Sequence, residues 1–506
     1  METVLAVDLG TTAVKVALID ERGSVLGKAA REYKLSSPTA LAVELDAEHY
    51  WSAFKSSLHD ALAQSGADPT RIRALGISAQ GETLICADVE GKALRPAIVW
   101  LDNRAQDEAQ QLSREFGDEA AYRITGQVSF VPTWPAAKIL WLRRNEPDTF
   151  RRVGRFLLIE DWFIQRLTGL AVCEGSLVTS TTYWNLTTRQ WWPEMLAFLG
   201  ITEAQLPELR ESGEPVSTIV PSVARELGLD PATIVCTGAL DQAAGAIGVG
   251  NIRPGVFSEN TGAALAVCAT VSQPTFDPSR QMPCHYHGAP GLYMEHTFTT
   301  GGMVLRWYRD TFCQAEMESA RHTGRDAYDL ISDLAAQVEP GSEGLLMLPH
   351  LQGAMAPESN PKAKGVFFGF TLRHTKAHFA RSIMEAIACL VRRNIEVVEG
   401  LGIPVEEVRV LGGGARSQIW NQIKCDLIGR PVVTTENEEA ACLGAAILAG
   451  RAVGIFGSLE DAVDRMVVLK ERLDPDPDRH ARYEATYRAY CGLYDDLRPT
   501  FERTRP

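Results

Sequence analysis

Val4-Leu5-Ala6-Val7-Asp8-Leu9-Gly10-Thr11-Thr12-Ala13-Val14-Lys15-Val16-Ala17-Leu18-Ile19-Asp20 is the stretch whose reading decides the fold. An apolar run reaches Asp8, turns through three small residues and returns as a second apolar run ending at Glu21-Arg22-Gly23. That pattern predicts a β-hairpin with an unusual tip. Gly10-Thr11-Thr12 can bring backbone N–H groups and hydroxyls close to an anionic ligand, because glycine permits tight approach and threonine adds a donor. Asp8 would then hold a magnesium ion beside phosphates, and Lys15 would add a cation. The competing reading is an ordinary hairpin with a solvated lysine.

Past mid-chain the pattern recurs. Gly255-Val256-Phe257-Ser258-Glu259-Asn260-Thr261-Gly262-Ala263-Ala264-Leu265-Ala266-Val267 again runs strand, Thr/Gly turn, strand. Two such hairpins predict two related domains, and two facing turns would make a phosphate clamp. The stretch Gly248 to Gly255, with Pro254 and no periodic pattern, marks the boundary, so the expected domains are residues 1–250 and 251–506. Ile72 to Ser78 and Ala97 to Trp100 read as strands, Thr133 to Asn145 and Asp161 to Leu167 as helices, which makes the class mixed α/β. His378 to Leu401 reads as a long amphipathic helix with Ile383, Ile387, Leu390 and Val391 on one side, and Asp478 to Arg498 as a polar helical tail.

Composition narrows the function. The 506 residues exceed one core, 45% hydrophobic and 23% charged residues are ordinary for a folded soluble chain, and the net charge of −14 makes nucleic acid a poor partner. No apolar run approaches the ~20 residues of a membrane span, and the first residues lack a signal-peptide pattern. Ten cysteines from Cys86 to Cys491 form no CxxC pair, so reduced thiols and a cytoplasmic protein are expected.

Further polar clusters lie where strands end. Ile234 to Leu240 runs into Asp241 and a series of small helix formers, so Asp241 is either an N-cap or a functional carboxylate. Gln80-Gly81-Glu82-Thr83 and Trp100-Leu101-Asp102-Asn103-Arg104 each follow an apolar strand, where ligand-facing residues collect in α/β folds. They supply the amide, carboxylates and ring that a sugar needs; solvated loops are the alternative. Gly412-Gly413-Gly414 after the strand Val408 to Leu411 offers bare backbone to a flat ligand such as adenine. It is not a dinucleotide fingerprint. Cys284, His285, His287 and His296 are either a zinc site or a polar hairpin, the latter favoured because no second pair completes a tetrahedral set. No GxSxG elbow supports a hydrolase.

Together these residues resemble the FGGY family of carbohydrate kinases, which includes xylulokinase, ribulokinase and glycerol kinase. The most specific part is Asn360-Pro361-Lys362-Ala363-Lys364-Gly365-Val366-Phe367-Phe368-Gly369-Phe370, then His378-Phe379 and Ser382-Ile383-Met384-Glu385, with a first signature around Pro135, Lys138, Trp141 and Leu142. The resemblance runs from Asp8 to about Phe456. It implies two actin-like (ribonuclease H-like) ATPase domains closing on a sugar and ATP, with magnesium, in the cleft between them.

By matching position, Asp241 would be the general base, and Gln80, Gly81, Glu82, Asp102 and Gln242 would bind the acceptor. Thr11, Thr12, Lys15, Thr261, Gly262, Gly302, Gly413, Gly414 and Gln418 would bind ATP, with Asp8 toward the metal. Xylulokinases usually carry Gln-Met-His-Gly where this chain has Gln80-Gly81-Glu82-Thr83, and glycerol kinases carry Gln-Arg-Glu-Thr. Gly365 to Phe370 and Gly412 to Ser417 look closer to xylulokinases. The expected activity is therefore phosphorylation of a terminal hydroxyl of a pentulose or related polyol. A glycerol kinase-like activity, or a non-catalytic actin-like nucleotide or sugar sensor, is the alternative. A homodimer is left open.

Overall fold

β1 (Thr3–Leu9) is buried along all seven residues, as a central strand covered on both faces must be. The computed structural model describes residues 2–503. β2 (Ala13–Asp20) and β3 (Val25–Glu32) follow β1 antiparallel, and β4 (Ile72–Ala79) lies on its other side in parallel. β5 (Pro215–Thr218) and β6 (Ile234–Cys236) extend the sheet to the order β5-β6-β4-β1-β2-β3. β7 (Ala239–Leu240) continues beside β4 past the end of β6.

The second sheet repeats this plan. β8 (Gly255–Thr261), β9 (Ala264–Val271), β10 (Cys284–Tyr286), β11 (Tyr293–Thr300), β12 (Val405–Leu411), β13 (Val432–Thr435) and β14 (Leu469–Leu473) run in the order β10-β11-β9-β8-β12-β13-β14. Its hairpin strand β8 is antiparallel to β9 and parallel to β12, and β13 is parallel to β12 with β14 antiparallel beyond it. The first sheet shows the same succession of senses through β1, β2, β4, β6 and β5. The two predicted hairpins thus occupy equivalent places in two equivalent sheets.

Six helices position the site: α1 (Pro135–Asn145), α2 (Ile159–Thr168), α3 (Gly175–Val178), α4 (Asp241–Gly248), α5 (Lys376–Gly400) and α6 (Ala440–Ala452). The helix expected over Thr133 to Asn145 starts at Pro135, where a proline at the first position has no amide donor to waste. On α5, Ile383, Ile387, Leu390 and Val391 are all buried in the core of the second sheet. α4 and α6 cross with their backbones in contact. A Cβ on Gly248 would overlap the carbonyl of Ala440, and one on Gly444 would overlap that of Ala244. Only small residues allow so close a crossing.

α6 comes from the second half of the chain, yet Leu443, Ile447 and Leu448 pack into the core under the first sheet. The halves therefore share apolar surface along one helix pair. Residues 477–503 form the expected tail helix. Among the described residues no helix is long and apolar enough to cross a membrane, and all ten cysteines are free thiols, nine of them buried.

Candidate active site

Register brings the first group of residues together. Leu9 pairs with Ala79 across β1 and β4, and Ala79 pairs with Leu240 across β4 and β7. Gly10, Gln80 and Asp241 therefore leave three neighbouring parallel strands at one level, at their carboxyl ends. Asp8, one residue inside, accepts a hydrogen bond from Ser78 Oγ at 3.1 Å and faces Lys15 Nζ at 3.7 Å. Burial raises the Asp8 carboxyl against the pull of Lys15. Asp241 is half-buried, and its carboxyl is pushed up to about 7, first by burial and then by the charges of Asp8 and Glu82. Three carboxylates thus face one space.

The loop after β4 is held in an uncommon conformation. Glu82 has φ 57°, in the left-handed region that a glutamate seldom adopts. Lys138 Nζ, fully buried at the base of α1, donates to the carbonyls of Glu82 at 2.8 Å and Val99 at 3.1 Å, which fixes the turn. The lysine of the first signature is therefore a buried brace, and burial lowers its ammonium below the ordinary lysine range. Burial also raises the Glu82 carboxyl. Gly81 lies against Leu240, since a Cβ there would stand 3.1 Å from Leu240 Cδ1. Gln80 turns its amide inward, donating from Nε2 to the Gly10 carbonyl at 3.3 Å, and its buried Oε1 has no partner.

Two expected acceptor contacts take different roles. The Asp102 carboxylate is fully buried, accepts the Val43 N–H at 2.6 Å and receives Arg104 Nε on both oxygens at 2.9 Å. These bonds tie Asp102 into the loop between Val43 and Arg104. Trp100 takes the place beside the turn: its Nε1 donates to Thr11 Oγ1 at 2.8 Å, and its ring meets Phe298 of β11 edge-on at 6.2 Å. Gln242 also reaches the second half, accepting at Oε1 from Asn260 Nδ2 at 3.2 Å.

The second hairpin builds the facing wall. Asn260 pairs with Leu411, so Thr261 and Gly412 leave β8 and β12 side by side. Gly414 lies directly on Thr261, with room for no Cβ: one would stand 2.6 Å from Thr261 Cβ. Beneath the turn, Lys424 and Glu259, both with no exposed side-chain surface, form an ion pair of 2.7 Å. Thr261 Oγ1 donates to Glu259 and accepts from Lys424 Nζ at 3.1 Å.

A cavity of about 320 Å³ opens here, lined by Thr261, Gly262, Gly302, Gly413, Gly414 and Ser417, with Tyr328 and Trp420 among its apolar walls. Gln418 is not part of it. Ser417 caps the helix that begins at Gln418, and the Gln418 amide points outward to donate to Glu471 at 3.2 Å. In the first hairpin, Thr12 and Lys15 are exposed, with Lys15 also pairing with Glu439 at 3.3 Å.

Sequence reasoning missed Lys424, Glu259, Ser417, Phe298 and Tyr328. Glu259 and Ser417 lie inside the quoted hairpin and glycine stretches without a role read for them, and Lys424, Phe298 and Tyr328 join the site by packing from other elements. Among the described residues no group of three or more His, Cys, Asp or Glu has the geometry to hold a metal ion, Cys284, His285, His287 and His296 included. The His285 and His296 rings meet edge-on with centroids 5.1 Å apart, and burial lowers both, keeping them neutral. That result leaves magnesium open, because this ion is commonly held by one or two carboxylates together with substrate phosphates and water.

The chain matches the FGGY family of carbohydrate kinases along both halves: the family's N-terminal domain over residues 3–248 and its C-terminal domain over residues 261–453. A gluconokinase of Bacillus subtilis is 31% identical over 491 residues, 97% of this chain and 95% of that protein. A xylulose kinase of Escherichia coli is 30% identical over 98% of this chain and 99% of that protein. The ligand-bound crystal structure of xylulose kinase from Lactobacillus acidophilus superposes with a TM-score of 0.90 at 26% identity, covering 99% of this chain and 100% of that one.

Proposed function

The chain belongs to the FGGY family of carbohydrate kinases and is a sugar kinase with ATP as its phosphoryl donor, and on that premise we propose that it phosphorylates a terminal hydroxyl of a pentulose or related neutral polyol, with Asp241 as general base. One observation carries this reading: Asp241 leaves β7 level with the Gly10 turn and beside the Glu82 loop, with its carboxyl near neutrality. A base poised there can take the hydroxyl proton as the oxygen attacks the γ-phosphorus in line.

Each half follows an actin-like plan, residues 1–250 carrying acceptor and base, residues 251–506 the nucleoside and the tail helix. The cavity at Thr261 and Gly414 would take the nucleoside, and the Gly10-Thr11-Thr12 turn with Lys15 the phosphates. Asp8 is the residue that would hold a magnesium ion, whose chemistry there is to neutralise phosphate charge. The proposed compartment is the cytoplasm, where ATP is supplied.

The relatives include enzymes named for xylulose and for gluconate, and electrostatics favours the neutral acceptor. The charges of Asp8 and Glu82 already raise the Asp241 carboxyl, and a gluconate carboxylate would add a further negative charge beside them. The cations closest to them are committed: Lys138 to two carbonyls, Arg104 to Asp102 and Glu44, and Lys15 to Asp8 and Glu439. A coupled ADP-release assay over pentuloses, polyols, glycerol and gluconate tests the reading. A pentulose or neutral polyol should be the best acceptor. Preference for gluconate would overturn the acceptor class, and silence across the panel with ATP bound would favour a sensor.

A further inference from the structure

Among the described residues, the strand that delivers Asp241 has a neighbour on one edge only: β7 pairs with β4 and with no other strand. Its other edge presents the N–H groups of Gly238 and Leu240, two residues apart and therefore aimed the same way. No main chain satisfies them. Gly238 N–H donates to Glu160 Oε1 at 2.7 Å, and Leu240 N–H donates to Ser176 Oγ at 2.9 Å.

Ser176 Oγ passes the interaction on, donating to Glu174 Oε1 at 2.8 Å. Glu174 further accepts from the N–H groups of Ser176 and Leu177 and from Ser212 Oγ, at 2.6, 2.7 and 2.6 Å. Glu160, Glu174 and Ser176 have no exposed surface. Glu160 begins α2 and Glu174 caps α3, so side chains from two helices stand where a further strand would lie.

Burying two carboxylates beside each other is costly, and an edge strand meant only for stability would be served by water or by another strand. The arrangement does something that neither supplies: it clamps the N–H groups of Gly238 and Leu240, three residues and one residue before Asp241, to rigid helices in a dry core. α3 is tied in turn to the second half of the molecule, since Thr179 Oγ1 accepts the Tyr286 N–H of β10 at 3.1 Å.

We propose that Glu160 and the Glu174–Ser176 pair are positioning residues for the phosphoryl transfer, holding β7 so that the Asp241 carboxylate meets the acceptor hydroxyl in attacking geometry. The inference rests on the reading of Asp241 as the general base. Misplacing a reacting group by about 1 Å can cost on the order of 100-fold in rate, whereas neither the sugar nor ATP touches these residues.

The test is steady-state kinetics on the full chain with the best acceptor of the panel, each variant first checked by circular dichroism. Ser176→Ala removes a single oxygen and leaves Leu240 N–H without a partner; its kcat should fall roughly 10- to 100-fold with both KM values unchanged. Glu160→Leu should behave alike, while Glu160→Gln, which keeps an acceptor for Gly238, should retain most of the rate. If Glu160→Leu does not fold, Ser176→Ala decides alone. Normal kcat in Ser176→Ala, or a raised KM at unchanged kcat, overturns the proposal. Asp241→Asn, run beside it, separates the two readings: if it is inactive while Ser176→Ala is normal, only the positioning role fails, and if it is fully active, the base assignment itself fails.

Discussion

Replacing Asp241 with asparagine should stabilise the protein at alkaline pH while abolishing turnover. The Asp241 carboxyl, ordinarily near 3.8, is pushed up to about 7 by burial, with Asp8 and Glu82 adding to it. An acid raised in the folded state binds its proton more tightly there than in the unfolded chain. Its contribution is therefore fully present below pH 4 and is lost as pH rises toward and through 7. The gap between 3.8 and about 7 corresponds to about 4 kcal/mol at 1.36 kcal/mol per pH unit. Water reaching part of the half-buried side chain reduces that to about 2 to 4 kcal/mol.

If the first half melts as one unit of about 250 residues, its unfolding entropy is about 0.5 kcal/mol/K, and the penalty corresponds to about 4 to 8 °C. Thermal melts of Asp241→Asn and wild type, recorded from pH 5 to 8.5 without nucleotide or metal, read it directly. Every other titrating group is present in both proteins, so the pH dependence of the difference in Tm reports Asp241 together with its coupling to Asp8 and Glu82. It should be smallest at pH 5 and grow to about 4 to 8 °C in favour of Asp241→Asn at pH 8.5. A Tm difference that does not change with pH would refute the placement of this carboxyl among like charges. The same variant should lose on the order of 100- to 10,000-fold in kcat, as removal of a general base does.

Other outcomes follow from the same geometry. Glu82→Gln removes one of the charges that raise Asp241, so the acid limb of the wild-type kcat profile, expected near pH 7, should move to lower pH; an unmoved limb would separate the two carboxylates. Glu82→Ala should weaken apparent sugar affinity about fivefold to 150-fold, for about 1 to 3 kcal/mol of lost hydrogen bonding, and leave the KM for ATP alone. Gly414→Ala puts a Cβ 2.6 Å from Thr261 Cβ and should raise the KM for ATP while sparing the KM for sugar, measured with either substrate saturating. Gly444→Ala forces a side chain into the Ala244 carbonyl where α4 and α6 cross, and should cost about 1 to 3 kcal/mol in denaturant titrations.

The parts of the molecule legible from sequence are those written in local pattern. Val4 to Asp20 and Gly255 to Val267 announced their hairpins because alternation and small-residue turns are decided within a few residues. The helix over His378 to Leu401 and the tail helix were legible for the same reason. Asp102 and Gln418 show where this fails. Both follow strands or glycine turns in a manner that fits ligand binding, but a carboxylate beside Arg104 and a helix-start glutamine beside Glu471 find protein partners first. For Asp102 the partner stands two residues on in the same stretch and its pairing depends on how the loop folds, and for Gln418 it stands 53 residues away, beyond any local pattern. Lys424 is the converse case, a lysine in an unremarkable helix that becomes a buried support for Thr261 because α-helical phase turns it under β8.

What the pairing of sheets adds is a reason for the base to sit where it does. Two equivalent sheets set their hairpin turns on opposite walls, and the helices that follow β7 and β13 cross in backbone contact at Gly248 and Gly444. Asp241 is the first residue of one of those helices. Its position is therefore referred to both halves at once: along α4 to the crossing with α6, across Gln242 to Asn260 beside Thr261, and through Ser176 and Thr179 to β10. A base mounted on either sheet alone would have to be brought to the phosphate by closure of the whole cleft. On the proposed assignment, mounting Asp241 on the shared helix pair would refer the base to the Thr261 turn without that step. The Glu82 loop is braced separately by Lys138 on α1, so on the proposed assignment a substitution in that loop would reach the acceptor without displacing Asp241.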